Sequence, residues 1–177
     1  MKYLRRIIWL IASRLFLITL ILGLVITVFY YAMNISNIYV VLKDGMAGRA
    51  MVVMMDEDIE LDKYFQRSFL THDAVLQAKE DGTSPYSEYN VVGIDHRLTM
   101  GFTWVWPWDD TATVEITERI PAIDGRAKSS TAEKLVAAGG SSALYPPAWQ
   151  GGRYNVSLVK ENGRWLIKSL SLIETIQ

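Results

Sequence analysis

The chain has 177 residues, half of them hydrophobic, with 18 basic residues, 19 acidic residues and no cysteine. Such a balance excludes a disulfide framework and a thiolate metal site, and it lacks the basic excess of a nucleic-acid binder.

The apolar residues are unevenly spread. Leu15–Met33, LFLITLILGLVITVFYYAM, is nineteen residues without a charge. As a helix it extends about 28 Å, close to the hydrocarbon thickness of a bilayer, and reads as one transmembrane span. Lys2, Arg5, Arg6 and Arg14 precede it, and no acid occurs before Asp44. Positive residues beside a span stay in the cytoplasm. This predicts a cytoplasmic basic N-terminus over 1–14, a membrane helix over 15–33 and an extracytoplasmic domain over 34–177, in a single-pass cell-membrane protein. A cleaved signal peptide would share the basic start, but the apolar run is long for one and no Ala-x-Ala-like site follows. Four of the 18 bases and none of the acids fall in residues 1–42, so the rest of the chain carries 14 bases, 19 acids and a net charge of −5. An acidic domain argues against nucleic acid or anionic lipid as partner. Within the span, Thr19, Gly23 and Thr27 lie four apart, a small-residue spacing that lets two membrane helices pack closely and so allows a homo-oligomer.

Beyond Met33, Ile38, Leu42, Met46, Ala50 and Met54 recur every four residues, so the helix is expected to continue, weakened by Gly45 and Gly48. Met46, Met51, Met54 and Met55 read as residues packing that helix on a sheet. Asp56, Glu57, Asp58 and Glu60 then suit a helix N-terminus, and Leu61, Tyr64, Phe65 and Phe69 form its buried stripe. The acids do not match a calcium loop, which needs different spacing and a glycine at its turn. Asp81-Gly82-Thr83-Ser84-Pro85 ends the helical region.

Strand periodicity follows. From Val92 to Trp106 the even positions are mostly apolar and the odd ones mostly polar, over fifteen residues. Gly93 and Gly101 are the expected bend points. Pro107–Asp110 breaks the pattern, and Ala112, Val114, Ile116, Ile120 and Ala122 mark a returning strand. A five-residue loop over 107–111 would pair Trp106 with Ala112, Trp104 with Val114, Met100 with Glu118 and His96 with Ala122. Residues 124–152 read as an insertion, with Ser130-x-x-Glu133 as a capping box for a short helix through Ala138 and Gly139-Gly140 as its stop. In the last stretch Tyr154, Val156 and Leu158 alternate, Asn162-Gly163 makes a tight turn, and Trp165 and Ile167 open the return strand. The apolar phase then shifts to Leu170 and Leu172, which predicts a bulge near Lys168 or Ser169. The result is an α+β domain: helices packed on a bent antiparallel sheet of four or more strands.

That element order, closing in the strand–turn–strand YNVSLVKENGRWLIKSL, resembles the NTF2-like superfamily over roughly residues 35–177. The resemblance implies a cupped sheet whose helices enclose a conical pocket. The superfamily includes isomerases and dehydratases. It also includes single-span extracytoplasmic components of bacterial conjugation and secretion machines, similar in layout to this chain (the VirB8 type). No diagnostic motif accompanies the resemblance, and no catalytic residue carries over by position.

Candidate chemistry is sparse. His96 and Glu118 both fall on apolar faces and are the weak catalytic candidates, since a histidine and a carboxylate in a pocket suit acid–base work. In the register above they are four residues apart along the strands, roughly 13 Å, too far for a hydrogen bond. His72 has no evident partner, and Asp95 and Arg97 fall on the opposite face. No cofactor or metal is implied. Trp104 and Trp106 read as core, whereas Trp108, Tyr145 and Trp149 are the candidate partner-binding aromatics. The reading that follows is a non-catalytic extracytoplasmic scaffold or interaction component of a membrane-associated assembly, contacting other envelope proteins. The alternatives are a pocket for a small apolar ligand, with isomerase- or hydrolase-like chemistry, and a binder of a secreted toxin or wall component.

Overall fold

The helical repeat that begins in the apolar run does not stop at Met33. The computed structural model describes residues 2–176, and one unbroken helix, α1, occupies Lys2–Met55. By length and composition it can cross a membrane, and none of its most apolar stretch is buried in the fold. Its character changes at Tyr31. Between Ile7 and Tyr30 apolar side chains point outward on every side; after Tyr31, Ile38, Leu42, Met46 and Ala50 are fully buried on one face. That single stripe packs a helix on a sheet rather than in lipid.

Gly45 keeps this packing close. A Cβ there would stand 2.9 Å from the Tyr64 Cβ and 3.2 Å from the Ile167 Cδ1, so the glycine that weakens the helix locally also lets the chain at 64–65 and the sheet approach it. The helix ends at Met55, and Asp56 just beyond it adopts a left-handed φ of 57°.

The acids at 56–60 therefore close one helix instead of opening the next. An irregular segment follows, then a 3-10 turn (Leu61–Lys63) and two short helices, α2 (Arg67–Leu70) and α3 (Ala74–Glu80). The expected stripe survives the loss of regular helix: Leu61 and Phe65 are buried, and Phe65 stacks on Phe69 at 4.9 Å. Asp73 caps α3 by accepting from Val75 N and Leu76 N.

Six strands follow: β1 (Tyr89–Ile94), β2 (Arg97–Met100), β3 (Thr111–Arg119), β4 (Ile123–Ala127), β5 (Gly151–Glu161) and β6 (Arg164–Ile176). They form a four-stranded antiparallel sheet in the order β2-β3-β5-β6 and a two-stranded sheet of β1 with β4. The fold is α+β. The long hairpin of the sequence exists, but it is bent at 95–96 and 120–122, so its two ends lie in different sheets. Ile123–Ala127, which runs into the expected insertion at 124, is a true strand paired with β1. Between it and β5 lie α4 (Ala132–Gly139) and a 3-10 turn (Ser141–Leu144). The capping box does not form: Thr131 is the cap residue and makes no side-chain cap bond.

The hairpin register differs from the expected one by two positions. Leu98 pairs with Glu118 and Met100 with Ile116. The cause is the turn, which centres on Trp108, one residue earlier than the expected loop, and so moves each partner by two. Pairing by twos keeps both apolar sets on one face, as the periodicity required, but moves every partner. Past Gly101 the phase also inverts: Thr103 and Val105 are buried, while Trp104 and Trp106 are 57% and 38% exposed. The two tryptophans expected in the core are outside it. In the last hairpin, Ser157 pairs with Ser169 and Leu158 with Ile167, so Lys168 is the extra residue of a bulge, where the phase shift placed it. One core unites the α1 stripe with Val114, Ile116, Val156, Leu158 and Ile167 of the sheet.

Candidate functional site

Four buried ionisable side chains meet beneath α1. The corrected register brings the first two together. Extending the β2–β3 ladder sets His96 opposite Ile120, so Glu118 is its diagonal neighbour, at a separation that long side chains bridge. His96 Nε2 lies 3.1 Å from Glu118 Oε1. The side chains are 6% and 0% exposed. With Glu118 ionised, the carboxylate can only accept, so Nε2 carries the proton.

The second pair comes from α1 and the cap of α3. Arg49 Nε donates to Asp73 Oδ2 at 3.1 Å, and Nη2 donates to Oδ1 and Oδ2 at 3.1 and 2.9 Å. This is a two-pronged guanidinium–carboxylate pair. Both residues are buried. Asp73 Oδ1 also accepts the two backbone N–H groups of α3, at 3.1 and 3.0 Å. The carboxylate is thus almost fully satisfied.

Trp149 stands between the two pairs. Its Nε1 lies 3.5 Å from Glu118 Oε2, and the Arg49 guanidinium sits 5.9 Å from the centre of its ring. Tyr86 packs against the same indole at 6.1 Å. Trp149, expected as a surface aromatic, is half-buried. Tyr154 borders the cluster; burial and the negative charge of Glu118 raise its phenol above the ordinary tyrosine value.

A cleft of about 430 Å³ opens at the Arg49–Asp73 end, lined also by Phe69, His72, Tyr154 and Lys168. Neither His96 nor Glu118 lines this cleft, or the larger ones beside Met54 and Tyr89 and beside Val92 and Arg126. His72 is exposed, and its Nδ1 lies 2.8 Å from Ser68 O. Among the described residues no three His, Cys, Asp or Glu side chains cluster as a metal site would require. Asp95 and Arg97 bridge each other at the surface at 2.6 Å.

The remaining site candidates lie elsewhere. Tyr145 is exposed, with Arg126 5.8 Å from its ring centre. Trp108 is 68% exposed and stacks on Trp106 at 5.0 Å with the rings 7° apart. Trp106 meets Trp104 edge-on at 5.1 Å, and Trp104 meets Tyr31 of α1 at 4.9 Å. Together with Phe102, 88% exposed, they form an aromatic ledge beside α1. Thr19, Gly23 and Thr27 lie on a free face of α1, and the two threonine hydroxyls donate back to Leu15 O and Gly23 O.

No protein-family model, curated protein or solved structure matches the chain.

Tyr86 gives the cluster a readable alkaline signature. It is buried, and burial pushes its phenol up to about 12 from the ordinary 10.0. The folded protein therefore keeps this proton between pH 10 and 12, where the unfolded chain has lost it. The contribution is complete below pH 10 and is lost as pH rises to about 12, about 2–3 kcal/mol in all. Urea melts at pH 9 and pH 11 should show a smaller alkaline loss for Tyr86→Phe than for the unchanged protein; equal losses would refute the assignment.

Proposed function

We propose that the chain is a single-pass membrane protein whose residues 34–177 form an NTF2-like domain outside the cytoplasm, acting as a non-catalytic scaffold or interaction component of a membrane-associated assembly. The basic N-terminus and the unburied apolar half of α1 support the anchoring and its direction. The long helix laid across a bent antiparallel sheet supports the superfamily reading.

The observation that carries the non-catalytic reading is the closure around His96 and Glu118. They have the distance and pairing of an acid–base dyad, yet their side chains are 6% and 0% exposed. Proton transfer to a substrate requires that the substrate reach one of them. In this fold the pair acts as a strut: it fixes the bend between β1 and β2 to β3 by satisfying a polar atom at each side of the hairpin. The aromatic surface, by contrast, is open.

The test is complementation of a strain lacking the protein by the double variant His96→Leu/Glu118→Leu, matched to wild type for abundance. A scaffold keeps its function when the strut is replaced by apolar side chains of similar size. Loss of function in a folded, abundant double variant would overturn the reading. The cleft at Arg49, Asp73 and Tyr154 favours a second reading, a small-ligand site. In that case Tyr154→Phe, which keeps the ring and removes the hydroxyl, should abolish function without lowering the melting temperature. The scaffold reading expects Tyr154→Phe to function normally.

A further inference from the structure

We propose that the ledge of Phe102, Trp104, Trp106 and Trp108 lies in the interfacial layer of the bilayer that α1 spans and seats the domain directly on that surface. This inference rests on the membrane-span reading of α1.

The ledge is tied to α1 at the end of the apolar run. Tyr31 Oη donates to Thr103 O at 3.1 Å, and Asn34 Nδ2 donates to Trp106 O at 3.3 Å. Asn34 Oδ1 in turn accepts from Trp165 Nε1 at 2.8 Å, which locks this height of α1 to the sheet. The rings therefore lie level with Tyr31–Asn34, where side chains stop facing outward on every side and one face begins to face protein. A domain fixed at that height cannot stand clear of the headgroups.

The ledge is also built to hold its rings outward. Four large rings, each 38–88% exposed, occur between Phe102 and Trp108. Thr103 and Val105 are buried between them, and Thr103 Oγ1 donates to Thr113 O at 3.1 Å. Residues 98–108 carry no charge, and the Asp109 carboxylate just beyond them turns back to accept Trp106 N at 2.8 Å. Indole rings, apolar in body and able to donate one hydrogen bond, concentrate at membrane–water boundaries.

The spacing along α1 agrees. Trp9 precedes Tyr31 by six turns of continuous helix, about 33 Å, so the two aromatic levels bracket one hydrocarbon thickness. The domain is acidic, so anionic headgroups do not supply the attraction and the rings must. The far end of the domain, where Tyr89 Oη meets Ala143 O and α1 reaches Met55, then stands about 30 Å from the surface.

The absence of cysteine allows single labels. Full-length protein with one cysteine at Val25, Phe102, Trp108 or Ser142 is labelled with an environment-sensitive fluorophore and placed in phosphatidylcholine vesicles with brominated acyl chains. The expected result is bromine quenching at 102 and 108 several-fold greater than at 142, with position 25 quenched as well. Quenching at 25 with 102 and 108 as wet as 142 overturns the inference and leaves the anchor standing. An unquenched position 25 removes the anchor reading itself. Labels at 102 and 108 shielded from aqueous iodide yet untouched by bromine would mean that a second copy or another protein covers the ledge, which also overturns it. Since Trp108→Cys removes one ring of the stack, an unlabelled Trp9→Phe chain provides the second measurement. Its remaining tryptophan emission should still be quenched by the brominated lipid, and loss of that quenching contradicts the proposal.

Discussion

Asp73→Ala should destabilise the protein more than any other single polar substitution, by about 4–6 kcal/mol, because two losses combine. Removing one partner of a buried ion pair strands the other, at about 3–5 kcal/mol, and here the stranded group is the Arg49 guanidinium, buried on α1. The same substitution removes the N-cap of α3, worth about 1 kcal/mol, because Asp73 Oδ1 accepts from both Val75 N and Leu76 N. Arg49→Met should cost less. It leaves a carboxylate that still holds two backbone donors, whereas Asp73→Ala leaves a charge with only the face of Trp149 beside it. Denaturant melts of the two single variants and the double variant Arg49→Met/Asp73→Ala check this. The expected order is Asp73→Ala worst, with the double variant more stable than Asp73→Ala alone. An additive double variant would show that the pair is not coupled in solution.

His96→Leu should also be severe, at about 3–5 kcal/mol, because Glu118 is fully buried and its nearest donor would be gone. Trp149 Nε1, at 3.5 Å, is a poor replacement. Glu118→Leu should be milder, about 1–3 kcal/mol, since it removes the buried carboxylate itself and leaves an imidazole with one unmade hydrogen bond. The double variant His96→Leu/Glu118→Leu should recover most of the loss, because removing both partners leaves no unpaired buried polar atom. Thermal melts at neutral pH decide the matter. Equal stabilities of His96→Leu and wild type would mean that the strut does not form.

These two clusters show where the sequence is legible. The α1 stripe, Ile38 to Met54, follows from a four-residue repeat, because helix faces are set by local spacing. The bulge at Lys168 follows from a change of apolar phase, which is also local. The His96–Glu118 contact escapes through one inference, the placement of the hairpin turn at 107–111. Period-two alternation decides which face a side chain takes, and Leu98, Met100, Ile116 and Glu118 do share a face. It does not decide which residues stand opposite, because a slip of two leaves the pattern unchanged. Gly101 reads as a bend, but a bend does not announce that the phase inverts after it, and so Trp104 and Trp106 read as core. Arg49 and Asp73 carry a faint signal. Arg49 adjoins Ala50 on the buried stripe, and Asp73 precedes Ala74-Val75-Leu76 as an N-cap would. Their pairing is a tertiary contact between α1 and the cap of α3, and no local rule contains it.

Whether α1 crosses a membrane, with the domain on the side away from the cytoplasm, can be read directly with single cysteines at Tyr3 and Ser142, both exposed positions. A membrane-impermeant maleimide is applied to sealed spheroplasts carrying the full chain. The expected result is that Ser142→Cys reacts in sealed spheroplasts, that Tyr3→Cys reacts only after lysis, and that both chains stay with the membrane through an alkaline carbonate wash. A Ser142→Cys chain that reacts only after lysis, or a chain that washes off, would contradict it.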